Sequence, residues 1–433
     1  MTAPSSALLT DHYELTMLQA TLANGHAHRR CVFQAFARRL PQGRRYGVVA
    51  GTGRILEALA TFRFGAAEID FLAKASVVDD ATLDYLSAYR FTGNIWGYAE
   101  GEVYFPGSPL MMVESTFAQG VILETLILSI LNHDSAVASA ASRMSAAAGD
   151  RPCIEMGSRR THEESAVAAA RAAYIAGFSG SSNLEAGRRH GIPTLGTAAH
   201  SFTLLHDDER AAFTSQLASL GLDTTLLVDT YDITAGVNLA VELAGSALGG
   251  VRLDSGDLIS GAQEVRRQLD DLGARDTRIV VTSDLDEYAI AALQAAPVDS
   301  YGVGTQVVTG SGAPAAGMVY KLVSRENDAG VMEGVAKVSK DKASVGGRKF
   351  ALRRRNSTGV AQEEVIGIDQ APVDDGDDRS LLIELVREGE VVAATDAHTA
   401  REQHTASRAE LPTRALRMSD GDPAIPTTYL DGA

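Results

Sequence analysis

CIEM at Cys153–Met156, AGF at Ala176–Phe178, PTL at Pro193–Leu195, TLLV at Thr225–Val228, GVRL at Gly250–Leu253, RIVVT at Arg278–Thr282 and SYGV at Ser300–Val303 are short apolar runs, each bounded by polar loops. Between them lie Ala-rich, helix-compatible segments, among them HEESAVAAARAAYI, DDERAAFTSQLASL and ISGAQEVRRQLDDL. This alternation argues for βαβ units and a parallel sheet, because parallel strands need a crossover and a helix supplies it. Seven such runs approach the eight of a (β/α)₈ barrel. No nucleotide-binding glycine fingerprint opens the first unit, which removes one reason to choose a Rossmann sheet. The fold class expected is α/β, an irregular seven-stranded TIM-like (β/α) barrel over residues 126–316. The flanks differ. Residues 1–125 mix one helical start with Gly-punctuated strands (CVFQAFARRLP, YGVVAGTG), and residues 317–433 carry strand-like charged segments (GMVYKLVS, VREGEVV). They are expected to pack as one discontinuous α+β flanking domain.

The chain has 433 residues, 45% of them hydrophobic and 22% charged, an ordinary globular composition. Lys plus Arg is 39 and Asp plus Glu is 55, a net charge of −16, which lacks the basic footprint of a general nucleic-acid binder. Two cysteines, Cys31 and Cys153, suffice for neither a disulfide framework nor a cysteine metal site, so no resident metal is expected and a cytoplasmic setting is. MTAPSSALLTDHYELT lacks a basic region followed by an apolar run and does not read as a secretory signal. The longest apolar stretch, Val121–Leu131, is interrupted by Glu124 and too short to span a bilayer; it reads as a buried core helix, and no membrane partner is expected.

Each apolar run is followed by a polar patch: Gly157-Ser158-Arg159-Arg160, Ser179 to Asn183, Gly196 to Ser201, Asp229-Thr230-Tyr231-Asp232, Asp254-Ser255-Gly256-Asp257, Ser283-Asp284 and Gly304-Thr305. In a barrel these strand ends converge on the face where active sites of that fold sit. Gly, Ser, Asn and Asp after a strand also serve as plain turn and cap residues. Arg159, His200 and Arg252 are favoured at neither, and they fall in three separate patches. Arginine forks suit carboxylates and phosphates. Acidic groups suit ribose hydroxyls, Mg²⁺ or developing positive charge. Gly-Ser/Thr stretches at helix starts expose N–H groups to phosphate. The set suggests a phosphorylated sugar and an anionic partner.

The ordered pieces EMGSRRTHEES, AGFSGSSNLEAGRRHGIPTLGTAAHSF, LLVDTYDI, GVRLDSGDL, IVVTSDLDEY and SYGVGTQVVTG, with LLTDHYELTML before them and VYKLVS and KVSKDKASVGGRK after, resemble the nicotinate phosphoribosyltransferase family over roughly residues 8 to 355. The resemblance implies a homodimer with shared active sites, and synthesis of nicotinate mononucleotide from nicotinate and phosphoribosyl pyrophosphate, supplied with Mg²⁺ and coupled to ATP hydrolysis. It implies that His200 in GTAAHS is phosphorylated by ATP. It places Arg252 on the nicotinate carboxylate, Asp254 near the ribose hydroxyls and Arg159 near the pyrophosphate. Asp229 and Ser283 join the site, with Gly304 and Thr305 at the 5′-phosphate. Asp11 and Tyr13 match a motif whose tyrosine stacks on the pyridine ring from the neighbouring subunit, although Asp11 and Glu14 also have capping-box spacing. Lys337, Lys340 and Lys342 begin a basic run, ending at Arg355, that either faces solvent or covers the anionic substrate.

Other readings fail on particular residues. HEESA from His162 lacks the second histidine of a zinc-protease helix, and there is no Walker loop, so ATP needs another arrangement. Nicotinamide phosphoribosyltransferases resemble the chain but carry an acidic residue where Ser182 stands; an acid there would repel a carboxylate substrate. A Schiff-base lyase needs a barrel lysine, and neither the seven runs nor their patches contain one. A non-enzymatic nucleotide sensor would not need His200, Arg252 and Asp254 together.

Overall fold

The computed structural model describes residues 5–337, 344–394 and 396–430. The chain divides into two units, Met1–Ser139 with Ala313–Ala433, and Ala140–Gly312. The border falls inside the long helix Glu124–Ala148, which leaves one unit for the other.

The first unit is built on a seven-stranded antiparallel sheet in the order Met332–Gly334, Met318–Glu326, Arg30–Ala37, Met111–Thr116, Asn94–Tyr98, Leu382–Arg387 and Glu390–Val391. Segments far apart in the sequence thus meet in it, where Arg30–Ala37, the third strand, pairs with Met318–Glu326, the second. A second sheet of four strands, centred on Lys349–Arg355 and Ala361–Ile368, completes the unit. Phe117–Ala148 is long and apolar enough to cross a bilayer by length and composition, but 61% of its most apolar stretch is buried inside the protein. Ile122, Leu126, Ile127 and Leu131 sit in the core beside Phe33, Ile55 and Tyr320.

The second unit holds a six-stranded sheet in the order Gly180–Ser181, Cys153–Glu155, Ser300–Val303, Arg278–Ser283, Gly250–Leu253 and Thr225–Leu227. Every neighbouring pair is parallel. The intervening helices are those the Ala-rich segments announce, including Glu163–Ile175, Ile233–Ala244 and Leu258–Asp271. Two of the seven expected strands are displaced. Ala176–Phe178 is the exit of the preceding helix: Gly177 turns the chain at φ 111°, and the Phe178 N–H bonds back to Ala173 O at 3.0 Å. The strand forms two residues later, at Gly180–Ser181. Pro193–Leu195 shrinks to a single parallel bridge between Thr194 and Ser181. Pro193 has no N–H to extend a ladder.

Candidate active site

The strands of the parallel sheet alternate sides, and that alternation aims the site. Val251 and Leu253 are buried, while Arg252 and Asp254, on the opposite face, border a cavity of about 250 Å³. Arg159 and Arg160 close it from the loop after Cys153–Glu155, Ser283 and Asp284 from the end of Arg278–Ser283, and Gly304 and Thr305 from the turn between Ser300–Val303 and the short helix Thr305–Val308. Met156, Thr282 and Gly302 form the rest of the wall. A Cβ on Gly302 would come within 2.5 Å of Thr282 Cγ2 and 2.7 Å of Met156 Sδ, so the wall requires glycine there.

His200 starts the helix His200–Leu205. Its Nδ1 lies 3.1 Å from Thr230 Oγ1, and its Nε2 faces two carboxylates, Asp254 Oδ2 at 3.6 Å and Asp229 Oδ1 at 3.9 Å. Asp229 is the anchor of this corner. Its Oδ2 accepts the Asp254 N–H at 2.8 Å and the Ser255 hydroxyl at 2.9 Å, while its Oδ1 is buried with no hydrogen-bond partner among the described residues. Asp254 in turn accepts the Thr282 hydroxyl. Arg252 donates from Nη1 to Thr197 Oγ1 at 2.6 Å, and its Nε is buried without a partner. Burial pulls the guanidinium pKa down, Asp254 and Asp229 push it back up, and Arg159 adds to the downward pull. It stays cationic at neutral pH because an arginine does not deprotonate in that range.

Arg159, Arg252, Asp254, Ser283, Gly304 and Thr305 therefore share one cavity, with His200 and Asp229 joined to it through Asp254. Ser182 is exposed and outside the cavity lining; its N–H bonds Glu155 O at 2.8 Å. Asp232 and Asp257 act as helix caps, accepting N–H bonds from Ala235 and from Ile259 and Ser260. For these two the plain turn-and-cap reading holds.

Asp11 and Tyr13 lie at the start of the helix His12–Ala23 in the first unit. The capping box that their spacing allowed is absent: Asp11 makes no side-chain cap, and the buried Glu14 bonds Thr10 and Thr125 instead. Tyr13 is 44% exposed. Burial pushes its phenol up to about 12, with the Glu124, Glu14 and Asp11 carboxylates adding to the shift. His133 and His206, read from the sequence as structural, lie outside the cavity lining. His133 Nδ1 lies 2.8 Å from Asp134 Oδ1, and His206 Nδ1 lies 2.8 Å from Phe202 O. Lys337 is exposed, while Lys340 and Lys342 lie outside the described residues.

Sequence reasoning gave no role to Thr197, Thr230, Thr282 or Glu155, which orient the charged groups. The alternation of RIVVT carried a signal for Thr282, since the apolar, buried Val281 before it faces the other way.

Comparison with known proteins fits this geometry. Residues 8–132 match the model of the nicotinate phosphoribosyltransferase (NAPRTase) N-terminal domain. The chain is 58% identical over 431 residues to a nicotinate phosphoribosyltransferase of Mycobacterium tuberculosis, covering 98% of this chain and 95% of that one. It is 36% identical over 365 residues to the Bacillus subtilis nicotinate phosphoribosyltransferase, covering 82% and 74%. The crystal structure of human nicotinic acid phosphoribosyltransferase superposes with a TM-score of 0.84 at 25% identity, covering 98% of both chains. With that identity over nearly its whole length, the chain belongs to the nicotinate phosphoribosyltransferase family of enzymes.

Proposed function

We propose that this enzyme joins nicotinate to the ribose of phosphoribosyl pyrophosphate, releasing pyrophosphate and forming nicotinate mononucleotide for NAD salvage, with ATP hydrolysed through a phosphohistidine at His200. The observation that carries the reading is the charge layout of one cavity: Arg252 with an unpartnered, buried Nε on one side, Arg159 and Arg160 on another, and Asp254 beside them. Such a layout suits a substrate pair with separate anionic ends. Arg252 takes the pyridine carboxylate, Arg159 the pyrophosphate, and the Gly304–Thr305 loop the 5′-phosphate. Asp254 and Asp229 lie towards the ribose hydroxyls. Mg²⁺ arrives bound to the phosphoribosyl pyrophosphate, as part of that substrate, and the unpartnered Asp229 Oδ1 together with Asp254 suits such a cation.

The pyridine nitrogen attacks the anomeric carbon as the bond to the pyrophosphate oxygen breaks. Positive charge develops on the ribose, and fixed carboxylates stabilise it; negative charge develops on the leaving group, and fixed arginines stabilise that. The nitrogen carries no proton at neutral pH, so no general base is required and orientation is the main demand. A neutral imidazole is a competent nucleophile towards ATP. His200 meets the requirement of access, with 39% of its side chain exposed beside the cavity.

The six-stranded parallel sheet, with the Thr194–Ser181 bridge beyond one edge and Thr225–Leu227 at the other, supports the reading of a seven-stranded irregular barrel opened between Thr194 and Thr225. The Arg252–Thr197 and His200–Thr230 contacts bridge residues on the two sides of that opening. The enzyme acts in the cytoplasm as a homodimer in which Asp11 and Tyr13 serve the neighbour's site. The test is product formation from nicotinate and phosphoribosyl pyrophosphate, with and without ATP, and with nicotinamide as competitor. Preference for nicotinamide would overturn the assignment of a pyridine carboxylate to Arg252, and no product with either pyridine would favour a non-enzymatic role.

A further inference from the structure

Glu155 ends the Cys153–Glu155 strand directly beneath the cavity loops, and its side chain is fully buried. A buried carboxylate is costly unless its oxygens are satisfied, and no cation pairs with this one among the described residues. Its partners are two donors, one in the loop that follows its own strand and one in the neighbouring strand Gly180–Ser181. Oε1 accepts the Gly157 N–H, and Oε2 accepts the Ser181 hydroxyl at 2.5 Å. Ser181 is itself fixed. Its N–H bonds Pro193 O at 3.0 Å, its carbonyl accepts from Leu195 N at 3.0 Å, and its Oγ accepts the Asn183 N–H at 2.8 Å. Asn183 closes the circuit by donating from Nδ2 to Ser158 Oγ at 3.1 Å.

Gly157 also abuts the third loop. A Cβ there would stand 2.3 Å from Val308 Cγ1 and 2.9 Å from Gly304 O. The start of the Gly157–Arg160 loop is therefore fixed on one side by packing and on the other by Glu155. Burial raises the Glu155 pKa, and the Ser181 and Gly157 donors pull it back.

We infer that Glu155 is a positioning residue of the transfer reaction: its carboxylate clamps the loop carrying Arg159 to the loop Ser181–Asn183, and so sets Arg159 against the cavity. The inference rests on the reading of Arg159 as the pyrophosphate ligand. Only a carboxylate offers acceptors to both donors. A glutamine turned with its oxygen to Gly157, whose N–H can only donate, presents an N–H₂ to Ser181; the serine then accepts on its second lone pair instead of donating, and a neutral contact replaces the charge-assisted one. Glu155→Gln weakens one arm of the clamp with almost no change of volume, and Ser181→Ala removes the same arm from the other end.

Both variants, their double variant and the unchanged protein are compared in steady-state assays with both substrates, in equilibrium titration with Mg²⁺ and inorganic pyrophosphate, and in thermal melts. The clamp predicts that the KM for phosphoribosyl pyrophosphate rises about ten- to a hundredfold in Glu155→Gln, as misplacement of a binding group does. The KM for nicotinate stays within about twofold, because a different group holds that substrate. Ser181→Ala moves the same way, and the double variant is no worse than Ser181→Ala, because both act on one link. Equal rises in both KM values, or additive effects in the double variant, overturn the clamp. If the unchanged protein makes no product, the proposed reaction falls; the titration then judges the clamp alone, which survives if both variants bind pyrophosphate more weakly than the unchanged protein and falls if they bind it equally. A protein that binds no pyrophosphate at all overturns both.

Discussion

At the residue scale, Arg252 and His200 carry the sharpest predictions. Arg252 has a buried, unpartnered Nε and an Nη1 bonded to Thr197, a fork held ready for a planar acid. Arg252→Lys replaces the fork by a point charge and should cost about 1–3 kcal/mol of charge-assisted bonding. Steady-state kinetics should show the KM for nicotinate rising far more than that for phosphoribosyl pyrophosphate; equal rises would refute the assignment. His200 is tested by incubation with γ-labelled ATP. The label should be acid-labile, base-stable and absent from His200→Ala, which should also lose ATP hydrolysis while keeping a slow ATP-independent transfer. A label that persists in His200→Ala, or survives acid, belongs to another residue. The neighbouring carboxylates do not prejudge the result, since Asp254 and Asp229 stand 3.6 and 3.9 Å from Nε2, beyond direct hydrogen bonding.

At the scale of elements, the helix Ala397–Ala409 shows how a segment with no apolar stripe in its sequence is seated by polar chemistry. Gly101 turns at φ 93°, and a Cβ there would come within 2.0 Å of Ala400 O, so the turn and the helix pack backbone to backbone. His404 is 1% exposed and its Nδ1 lies 3.1 Å from Gly101 O. Beside it, Ser407 and the fully buried Arg353 meet Glu102, which also takes bonds from Arg379 at 2.8 and 3.0 Å. Burial lowers the His404 pKa from 6.5 to about 4, with Arg408 adding to the shift. The unfolded chain therefore binds a proton at a pH where the folded chain does not. The stability this supplies is complete above pH 6.5 and disappears as the pH falls towards 4. The full shift is worth about 3 kcal/mol. Urea unfolding at stepped pH should show His404→Gln losing about that much less than the unchanged protein across this window. Parallel profiles would assign the acid sensitivity elsewhere.

At the scale of the whole molecule, the question is whether one chain makes a whole site. Tyr13 is half exposed on the first unit, and the cavity belongs to the second. If Tyr13 serves the neighbour, Tyr13→Ala and Asp254→Ala, each inactive alone, should regain activity when refolded together, since a mixed dimer has one site with both defects and one with neither. Mixed dimers verified by mass that stay inactive would place Tyr13 in its own subunit's chemistry or outside the site.

The sequence by itself determined the periodic part of this protein. Runs such as RIVVT and GVRL, spaced by Ala-rich helices, announce parallel strands wherever the apolar pattern is strong, and the polar strand ends mark the site because backbone direction puts them on one face. The charged groups Arg159, Arg252 and Asp254 are legible for the same reason, and the cavity gathers them. Where the pattern is weak, local backbone chemistry decides. AGF reads as a strand by composition, but Gly177 ends a helix there, and Pro193 cuts PTL to a single bridge. Only the tertiary structure could tell Asp229, tied to Asp254 and Ser255, from Asp257, which caps a helix. Both are an Asp shortly after a strand, and what separates them is which donors come within reach once the strands are side by side. The same holds for Glu155. Gly157 lies two residues along its own chain, but Ser181 lies on the neighbouring strand, and the parallel pairing of Glu155 with Ser181 brings that second donor to the carboxylate.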